Sequence, residues 1–235
     1  MKKKIAILGS TGSIGKSLIN ILKKDKKNIE ICLLTAHKNY KELFKQIQTF
    51  NVKNIIITDP NSYLKVKKLL KKRKINILSS LDALNKIFIK KKIDYTMSAI
   101  SGFSGLKPTL DIIKYSKTIA IANKESIICG WSLIKKRLKK YNTQFIPVDS
   151  EHFSIWSLTN KSFNTNLEKV FITASGGPFK DYPLKNFKSI TKKQALRHPS
   201  WSMGKKISID SATMMNKVFE IIEAKKIFNL RYNQL

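Results

Sequence analysis

The sequence predicts an α/β protein: a doubly wound parallel sheet, followed by a smaller, partial α+β region. Two observations carry this. Short β-branched runs alternate with stretches of helical apolar spacing through roughly the first 147 residues, and the alternation stops after Pro147. Near-continuous apolar strands separated by helices mark a parallel sheet covered on both faces. The strands are expected at Lys4–Leu8, Ile29–Thr35, Asn54–Thr58, Asp94–Ser98, Thr118–Ala122 and Gln144–Val148. Between them lie stretches of helical spacing, for example Ser13–Leu22, Tyr40–Phe50, Tyr63–Lys72 and Ser132–Lys140. Beyond Pro147 come loops with Gly-Gly-Pro and His-Pro-Ser-Trp, then one clear helix, Ser211–Phe228. A first domain of residues 1–148 and a second of 149–235 follow from that change of texture.

Charge is the most prominent feature of the composition. The 235 residues carry 46 Lys and Arg against 15 Asp and Glu, a formal net charge of +31. That balance suggests nucleic acid as a partner. The identity of the basic residues argues otherwise: 42 of the 46 are Lys, and only Arg73, Arg137, Arg197 and Arg231 offer the guanidinium fork that base and phosphate recognition favours. Lys also fills solvated helix faces, as in the run from Lys67 to Lys74. The charge therefore reads as a Lys-rich surface. It suits an anionic small substrate, and no nucleic-acid partner is expected.

No stretch approaches the ~18 apolar residues needed to span a bilayer, so no membrane partner is expected either. Cys32 and Cys129 lie far apart in apolar surroundings. A disulfide framework is excluded and a reducing compartment fits. The opening M-K-K-K-I-A-I-L-G-S has an apolar run too short for the ~7–15 residues of a signal-peptide core, so the chain is expected to begin directly with a folded strand.

Three motifs carry chemistry. The first is Gly9-Ser10-Thr11-Gly12-Ser13-Ile14-Gly15, between the first strand and the first helix. Glycine there lets backbone approach a pyrophosphate, and the helix N-terminus supplies N–H donors. The alternative is a plain tight turn. With a nucleotide in that site the sheet is Rossmann-like. The second strand then ends Leu34-Thr35-Ala36-His37-Lys38-Asn39, with no acid for a ribose 2′-hydroxyl and a Lys suited to a 2′-phosphate. NADP is favoured over NAD, a loop Lys in a Lys-rich chain being the alternative.

The second motif is Pro147-Val148-Asp149-Ser150-Glu151-His152. On an extended segment residues two apart point the same way, so Asp149 and Glu151 converge on a cation or a proton. Hard oxygen ligands suit Mg²⁺ or Mn²⁺, and a solvated acidic turn explains the pair as well. The third is His198-Pro199-Ser200-Trp201-Ser202-Met203-Gly204, followed by Asp210-Ser211 and, further on, Asn216, Lys217 and Glu220. Ser211 is placed to cap a helix, and Asn216 and Glu220, four apart, share a helix face beside Lys217. Phosphate and metal binding would use such groups; an ordinary amphipathic helix would carry them too.

Taken together and in order, the motifs make the chain resemble the 1-deoxy-D-xylulose 5-phosphate reductoisomerases of the non-mevalonate isoprenoid pathway. The resemblance is carried by G-S-T-G-S-I-G (9–15), A-I-S-G-F-S-G-L (99–106), I-A-N-K-E-S (121–126), P-V-D-S-E-H (147–152), A-S-G-G-P-F (174–179), H-P-S-W-S-M-G (198–204) and D-S-A-T-M-M-N-K (210–217) with Glu220. It implies isomerisation and reduction of 1-deoxy-D-xylulose 5-phosphate to 2-C-methyl-D-erythritol 4-phosphate, with NADPH and a divalent metal, Mg²⁺ or Mn²⁺, with Co²⁺ a further candidate. Carried over residue by residue, it places Thr11, Gly12, Ser13, Ile14, His37, Lys38, Asn39, Asn123, Glu125 and Gly204 against NADPH. Asp149, Glu151 and Glu220 would hold the metal. Lys124, Ser150, Ser175, His198, Ser211, Asn216 and Lys217 would bind substrate. Lys124, Ser150, Glu151, His198 and Trp201 would be catalytic, with Trp201 on a loop that closes over the substrate.

Three departures from the family pattern stand out. His37 replaces a usual Gly, so the cofactor loop is altered. Val218-Phe219 replaces smaller or differently shaped residues before Glu220. The family pattern also continues past Leu235, through the strands of a homodimer interface and a C-terminal helical domain. The chain is therefore read as C-terminally truncated, with an incomplete catalytic domain, and the family's homodimer is not carried over to it. An inactive nucleotide-binding fragment is the alternative function, and a basic nucleic-acid binder is the second. The resemblance implies a bacterial, cytoplasmic setting. The region after Val148 is expected to be loosely ordered or self-associating.

Overall fold

The computed structural model describes residues 2–89, 93–159, 167–199 and 204–235. Chain contacts divide it into two compact units, Met1–Val148 and Asp149–Leu235.

The first unit runs β1 (Lys3–Leu8), α1 (Ser13–Leu22), β2 (Ile29–Ala36), α2 (Tyr40–Thr49), β3 (Asn54–Ile57), α3 (Pro60–Leu69), β4 (Asn76–Leu78), α4 (Leu84–Ile87), β5 (Ile93–Ser98), α5 (Leu106–Ile113), β6 (Ser116–Ile121), α6 (Lys124–Tyr141) and β7 (Gln144–Pro147). The seven strands form one parallel sheet in the order β4-β3-β2-β1-β5-β6-β7. Ile5–Leu8, Leu33, Leu34 and Ile55–Ile57 are all buried, as strands covered on both faces must be. After β1 the chain builds outward in one direction through β4, and from β5 it builds in the other. Between β1 and β5 lies the switch point, and ligands of such sheets bind outside its carboxyl ends.

All six expected strands form, within a residue or two at each end. The seventh, β4, is a three-residue edge strand too short to show a period. α5 lies outside the helical stretches named above, and it takes Pro108 within its first turn, where the missing N–H costs nothing. α6 starts eight residues before the expected Ser132, because Asn123 caps it: the Asn123 carboxamide oxygen accepts the Ser126 N–H at 2.5 Å. It ends at a left-handed Asn142, with Thr143 N–H on Leu138 O at 3.0 Å. Cys32 is buried, its thiol donating to Ile5 O at 3.2 Å, and burial pushes its pKa up to about 12. Cys129, expected in apolar surroundings, is exposed on α6.

In the second unit the helices are α7 (Ser150–Leu158), α8 (Lys192–Ala195), α9 (Lys205–Ala212) and α10 (Met215–Phe228), and no strand occurs among its described residues. The single helix expected over Ser211–Phe228 is two helices. They are separated at Thr213 and Met214, and Met214 adopts a left-handed φ of 61°. That conformation costs a non-glycine residue about 1–2 kcal/mol, and no Gly or Pro marks the break in the sequence. α10 buries Glu220, Glu223, Ala224, Ile227 and Phe228. Residues 167–183 are irregular, with Phe171 87 % exposed and Val170 N–H held by Gln234 O at 2.7 Å. No helix among the described residues is long and apolar enough to cross a membrane.

Candidate active site

Two groups of side chains, one in each unit, gather the residues singled out above. In the first unit the glycine loop leaves β1 at the switch point. Gly9 has φ 80°, and a Cβ there would lie 2.7 Å from Ala99 O, so the position admits only glycine. Gly12 N–H closes the turn on Gly9 O at 3.1 Å. The loop is held from behind. Gly9 N–H donates to Thr35 Oγ1 at 2.8 Å, Ser10 N–H to Thr35 O at 2.9 Å, and Gln46 Nε2 to Ser10 O at 2.9 Å. Gly12 begins α1 without a side-chain cap and no acid lies in the first turn, while Ser13 and Ile14 are exposed and Thr11 half-buried. A helix start of that kind, positive and with N–H donors outward, is an anion site.

His37, Lys38 and Asn39 follow β2, all exposed. Asn39 caps α2, accepting Glu42 N–H at 3.1 Å, and the His37 ring Nδ1 lies 2.8 Å from Thr58 Oγ1. An acid absent from the strand-two end is nevertheless close by: Asp59, from the end of β3, caps α3 through Ser62 N–H at 2.9 Å. Its hydrogen bonds from Ser62 hold its carboxyl below the usual range, and the charges of Lys38 and His37 add to that. Asn123 is buried, and its Nδ2 donates to Ile100 O and to Gly102 O at 2.8 Å. With its oxygen on Ser126 N–H, both ends of that side chain fasten the loop after β5 to α6. Lys124 begins α6 at 7 % exposure, with Glu125 half-buried next to it.

In the second unit Asp149, Ser150 and Glu151 do not lie on an extended segment, as the two-apart argument required. Asp149 is the N-cap residue of α7, and Ser150 and Glu151 are in its first turn. Glu151 meets Glu220 by a different route. Lys217 Nζ lies 3.5 Å from Glu151 Oε1 and pairs with Glu220 Oε2 and Thr173 O, so the two carboxylates share one cation position. Asn216 Nδ2 donates to the other Glu220 oxygen. Burial alone would raise the Glu151 carboxyl. The backbone N–H of Glu151, the Ser150 hydroxyl at 2.9 Å and the Lys217 charge outweigh it and hold the group below its ordinary range.

Behind this cluster sits a pair the sequence reading did not single out. His152 is buried, and its Nε2 lies 2.9 Å from Glu220 O; a carbonyl only accepts, so Nε2 carries the proton. Its Nδ1 lies 3.8 Å from the buried Glu223 Oε2. Among the described residues, the set whose ligand atoms fall within 4.8 Å of one another is Asp149, His152 and Glu223 rather than Asp149, Glu151 and Glu220. The signal was present in the sequence: Glu223 follows Glu220 at helical i,i+3 spacing, and His152 directly follows Glu151.

The remaining described residues of the second unit make contacts of their own. Ser175 Oγ lies 3.1 Å from His198 Nε2. Gly177, φ 66°, packs against α9 so closely that a Cβ would sit 2.9 Å from Ser211 O, which brings the 174–179 loop to Ser211. Ser211 therefore lies in the last turn of α9 and caps no helix. Gly204 is the exposed N-cap residue of α9. Trp201 lies outside the described residues. A groove of about 510 Å³ opens beside α7, lined by Ser150, Glu151, Ile155, Phe171 and Thr173 among others. Its volume is that of a small-molecule site.

Comparison with known proteins agrees along the whole chain. The family model for 1-deoxy-D-xylulose 5-phosphate reductoisomerase matches residues 5–130, and the model for its C-terminal domain matches residues 145–228. The reductoisomerase of Pelagibacter ubique is 69 % identical over 99 % of this chain, and that of Phocaeicola vulgatus 42 % identical over 100 %. The Zymomonas mobilis enzyme, solved with NADPH, superposes with a TM-score of 0.86 at 35 % identity over 100 % of this chain and 60 % of its own. A reductoisomerase solved with NADPH, fosmidomycin and magnesium gives 0.88 at 35 % identity, over 99 % of this chain and 60 % of its own. The chain spans 60–61 % of the length of these two curated relatives. On sequence and fold together, the chain belongs to the 1-deoxy-D-xylulose 5-phosphate reductoisomerase family.

Proposed function

We propose that this chain carries the cofactor-, metal- and substrate-binding parts of an enzyme converting 1-deoxy-D-xylulose 5-phosphate to 2-C-methyl-D-erythritol 4-phosphate with NADPH. The observation that carries the reading is the convergence of Glu151 and Glu220 on the cation position of Lys217, with Asn216 on the same carboxylate. A dehydrogenase that only moved hydride would need no such cluster. Similar proteins solved with NADPH and with magnesium support the same cofactors here.

In this reading Thr11, Gly12, Ser13 and Ile14 offer backbone donors to the NADPH pyrophosphate, and His37, Lys38 and Asn39 face its adenosine end. Asn123, Glu125 and Gly204 complete the contact. The donors assigned to the metal, Asp149, Glu151 and Glu220, are all carboxylates, which fits Mg²⁺ or Mn²⁺. Bound there, the metal supplies Lewis-acid polarisation of the substrate's oxygens. The chain's own residues do the rest. Ser175, Ser211, Asn216 and Lys217 bind the hydroxyls and phosphate, and Lys124, Ser150 and His198 orient the carbon skeleton. Trp201 covers it. The setting is the bacterial cytoplasm, the substrate is a small phosphorylated sugar, and neither membrane nor nucleic acid is a partner. The family's homodimer is not assigned to this chain.

The test is loss of NADPH absorbance on adding 1-deoxy-D-xylulose 5-phosphate and Mn²⁺ to the purified chain. Oxidation that requires both additions supports the reading. NADPH and Mn²⁺ binding without oxidation would mark the chain as a binding fragment of the enzyme.

A further inference from the structure

Asn216 and Lys217, two of the residues assigned to the substrate, are both engaged by Glu220, a residue assigned to the metal. Asn216 Nδ2 donates to Glu220 Oε1, and Lys217 Nζ pairs with Glu220 Oε2. Lys217 Nζ also takes Thr173 O and stands 3.5 Å from Glu151 Oε1. Its side chain is only 15 % exposed and that of Glu220 only 4 %, so this is not a solvated surface pair of the kind that contributes little. Two carboxylates and a carbonyl around one point are the oxygen set a hard divalent cation takes. The lysine ammonium meets the same oxygens as a point charge with three donors.

We propose that Lys217 and the divalent metal compete for Glu220 and Glu151. Metal capture displaces the Lys217 ammonium and releases Asn216, and so delivers both to an anionic group of the substrate. The proposal rests on reading Glu151 and Glu220 as metal ligands. An ammonium and a divalent cation repel each other at contact distance, so the two do not occupy the position between these carboxylates together. The four-carbon stem of Lys217 lets the charge swing away while its backbone stays in the first turn of α10. A phosphate that accepts the released ammonium offsets its loss of Glu220. Metal and phosphate binding then strengthen one another reciprocally, as linkage requires.

The competition has a sign that no purely structural role predicts. Mn²⁺ binding is measured on the full chain by the loss of the free-ion EPR signal, for wild type, Lys217→Met and Lys217→Gln, with and without inorganic phosphate. Without phosphate, removing the ammonium should tighten Mn²⁺ binding by about fivefold to a hundredfold, the range of ordinary coupling between sites. Phosphate should tighten Mn²⁺ binding in wild type and have no such effect in either variant. Mn²⁺ affinity equal to or weaker than wild type in both variants, with circular dichroism unchanged, overturns the proposal. So does a phosphate effect that persists in the variants, since it would come from phosphate touching the metal directly. If the variants do not fold, the wild type decides with sulfate in place of phosphate, an anion that accepts an ammonium but is a poor ligand of Mn²⁺: Mn²⁺ affinity indifferent to sulfate refutes the exchange, and affinity that rises with it supports it. Failure of all three proteins to bind Mn²⁺ would sink the metal reading itself, an outcome distinct from equal binding by all three.

Discussion

Gly15→Ala sets two known effects against each other, and the structure decides between them. Gly15 lies inside α1, and replacing a helix-interior Gly by Ala ordinarily stabilises by about 1 kcal/mol. Here the new Cβ would sit 2.6 Å from Ser10 Cα and 2.7 Å from Ser10 C, and would strike Gly9 O as well. Carbon atoms pack at roughly 3.5–4.0 Å, so α1 and the loop must separate by about 1 Å. Every obstructing atom is backbone, and the loop is tied down by Thr35 and Gln46, so no flexible side chain can yield. Overpacking of this kind costs about 1–3 kcal/mol, which cancels or exceeds the helix gain and leaves a net loss of about 0–2 kcal/mol. Function should suffer more than stability. A loop displaced by that distance loses its hydrogen bonds to a charged pyrophosphate, worth about 1.5–3 kcal/mol and therefore roughly ten- to a hundredfold in NADPH affinity. Urea unfolding and NADPH fluorescence titration read the two quantities separately. A variant about 1 kcal/mol more stable than wild type, with unchanged NADPH affinity, would refute the close helix–loop contact.

Lys38→Ala should lower the preference for NADPH over NADH by about tenfold, the scale of one charge-assisted contact, and Asp59→Asn should raise it slightly by removing the opposing carboxylate; dissociation constants for both cofactors check this. Glu223→Leu removes the buried carboxylate that lies 3.8 Å from His152 Nδ1 and should destabilise the chain by about 1–3 kcal/mol in urea, whereas a loss below half a kcal/mol would show the pair to be incidental. Asp94 is held below the ordinary carboxylate range chiefly by its hydrogen bond with Lys117, then by Lys4 N–H, so its contribution is present above the usual carboxylate pKa and fades as pH falls through the depressed one. The stability gap between wild type and Asp94→Asn should therefore close on acidification, and a gap that widens would contradict the assignment. Met214→Gly relieves a left-handed backbone and should stabilise the α9–α10 junction by up to about 1 kcal/mol in thermal unfolding.

Local signals that lie within one element were legible from the residues alone. Ile5–Leu8 and Ile55–Ile57 are β-branched and apolar on both faces, and such runs have few ways to be satisfied outside a parallel sheet. The Gly9–Gly15 loop was legible because only glycine tolerates its φ and its approach to Ala99. The lack of an acid at the end of β2 was also readable, although Asp59, twenty-three positions further on, arrives there from the end of β3. Elements whose stability comes from elsewhere were not legible. The three-residue β4 exists because β3 offers it an edge, and the early start of α6 depends on an Asn123 cap that also holds the loop after β5.

The second unit shows the limit most clearly. Periodicity over 211–228 describes one helix, yet the chain turns left-handed at Met214, and a penalty of that size is met only by packing. Asp149 and Glu151 were read as neighbours on a strand, but their segment begins a helix, and what brings Glu151 to Glu220 is an ammonium from sixty-odd residues further on. His152 and Glu223, seventy-one positions apart, become a buried pair in the same way. The residue types that could bind a cofactor, a metal and a phosphate were fixed by the amino-acid order. Which of them meet was decided by tertiary structure, because charge–charge and hydrogen-bond energies depend on distance in space and are blind to separation along the chain.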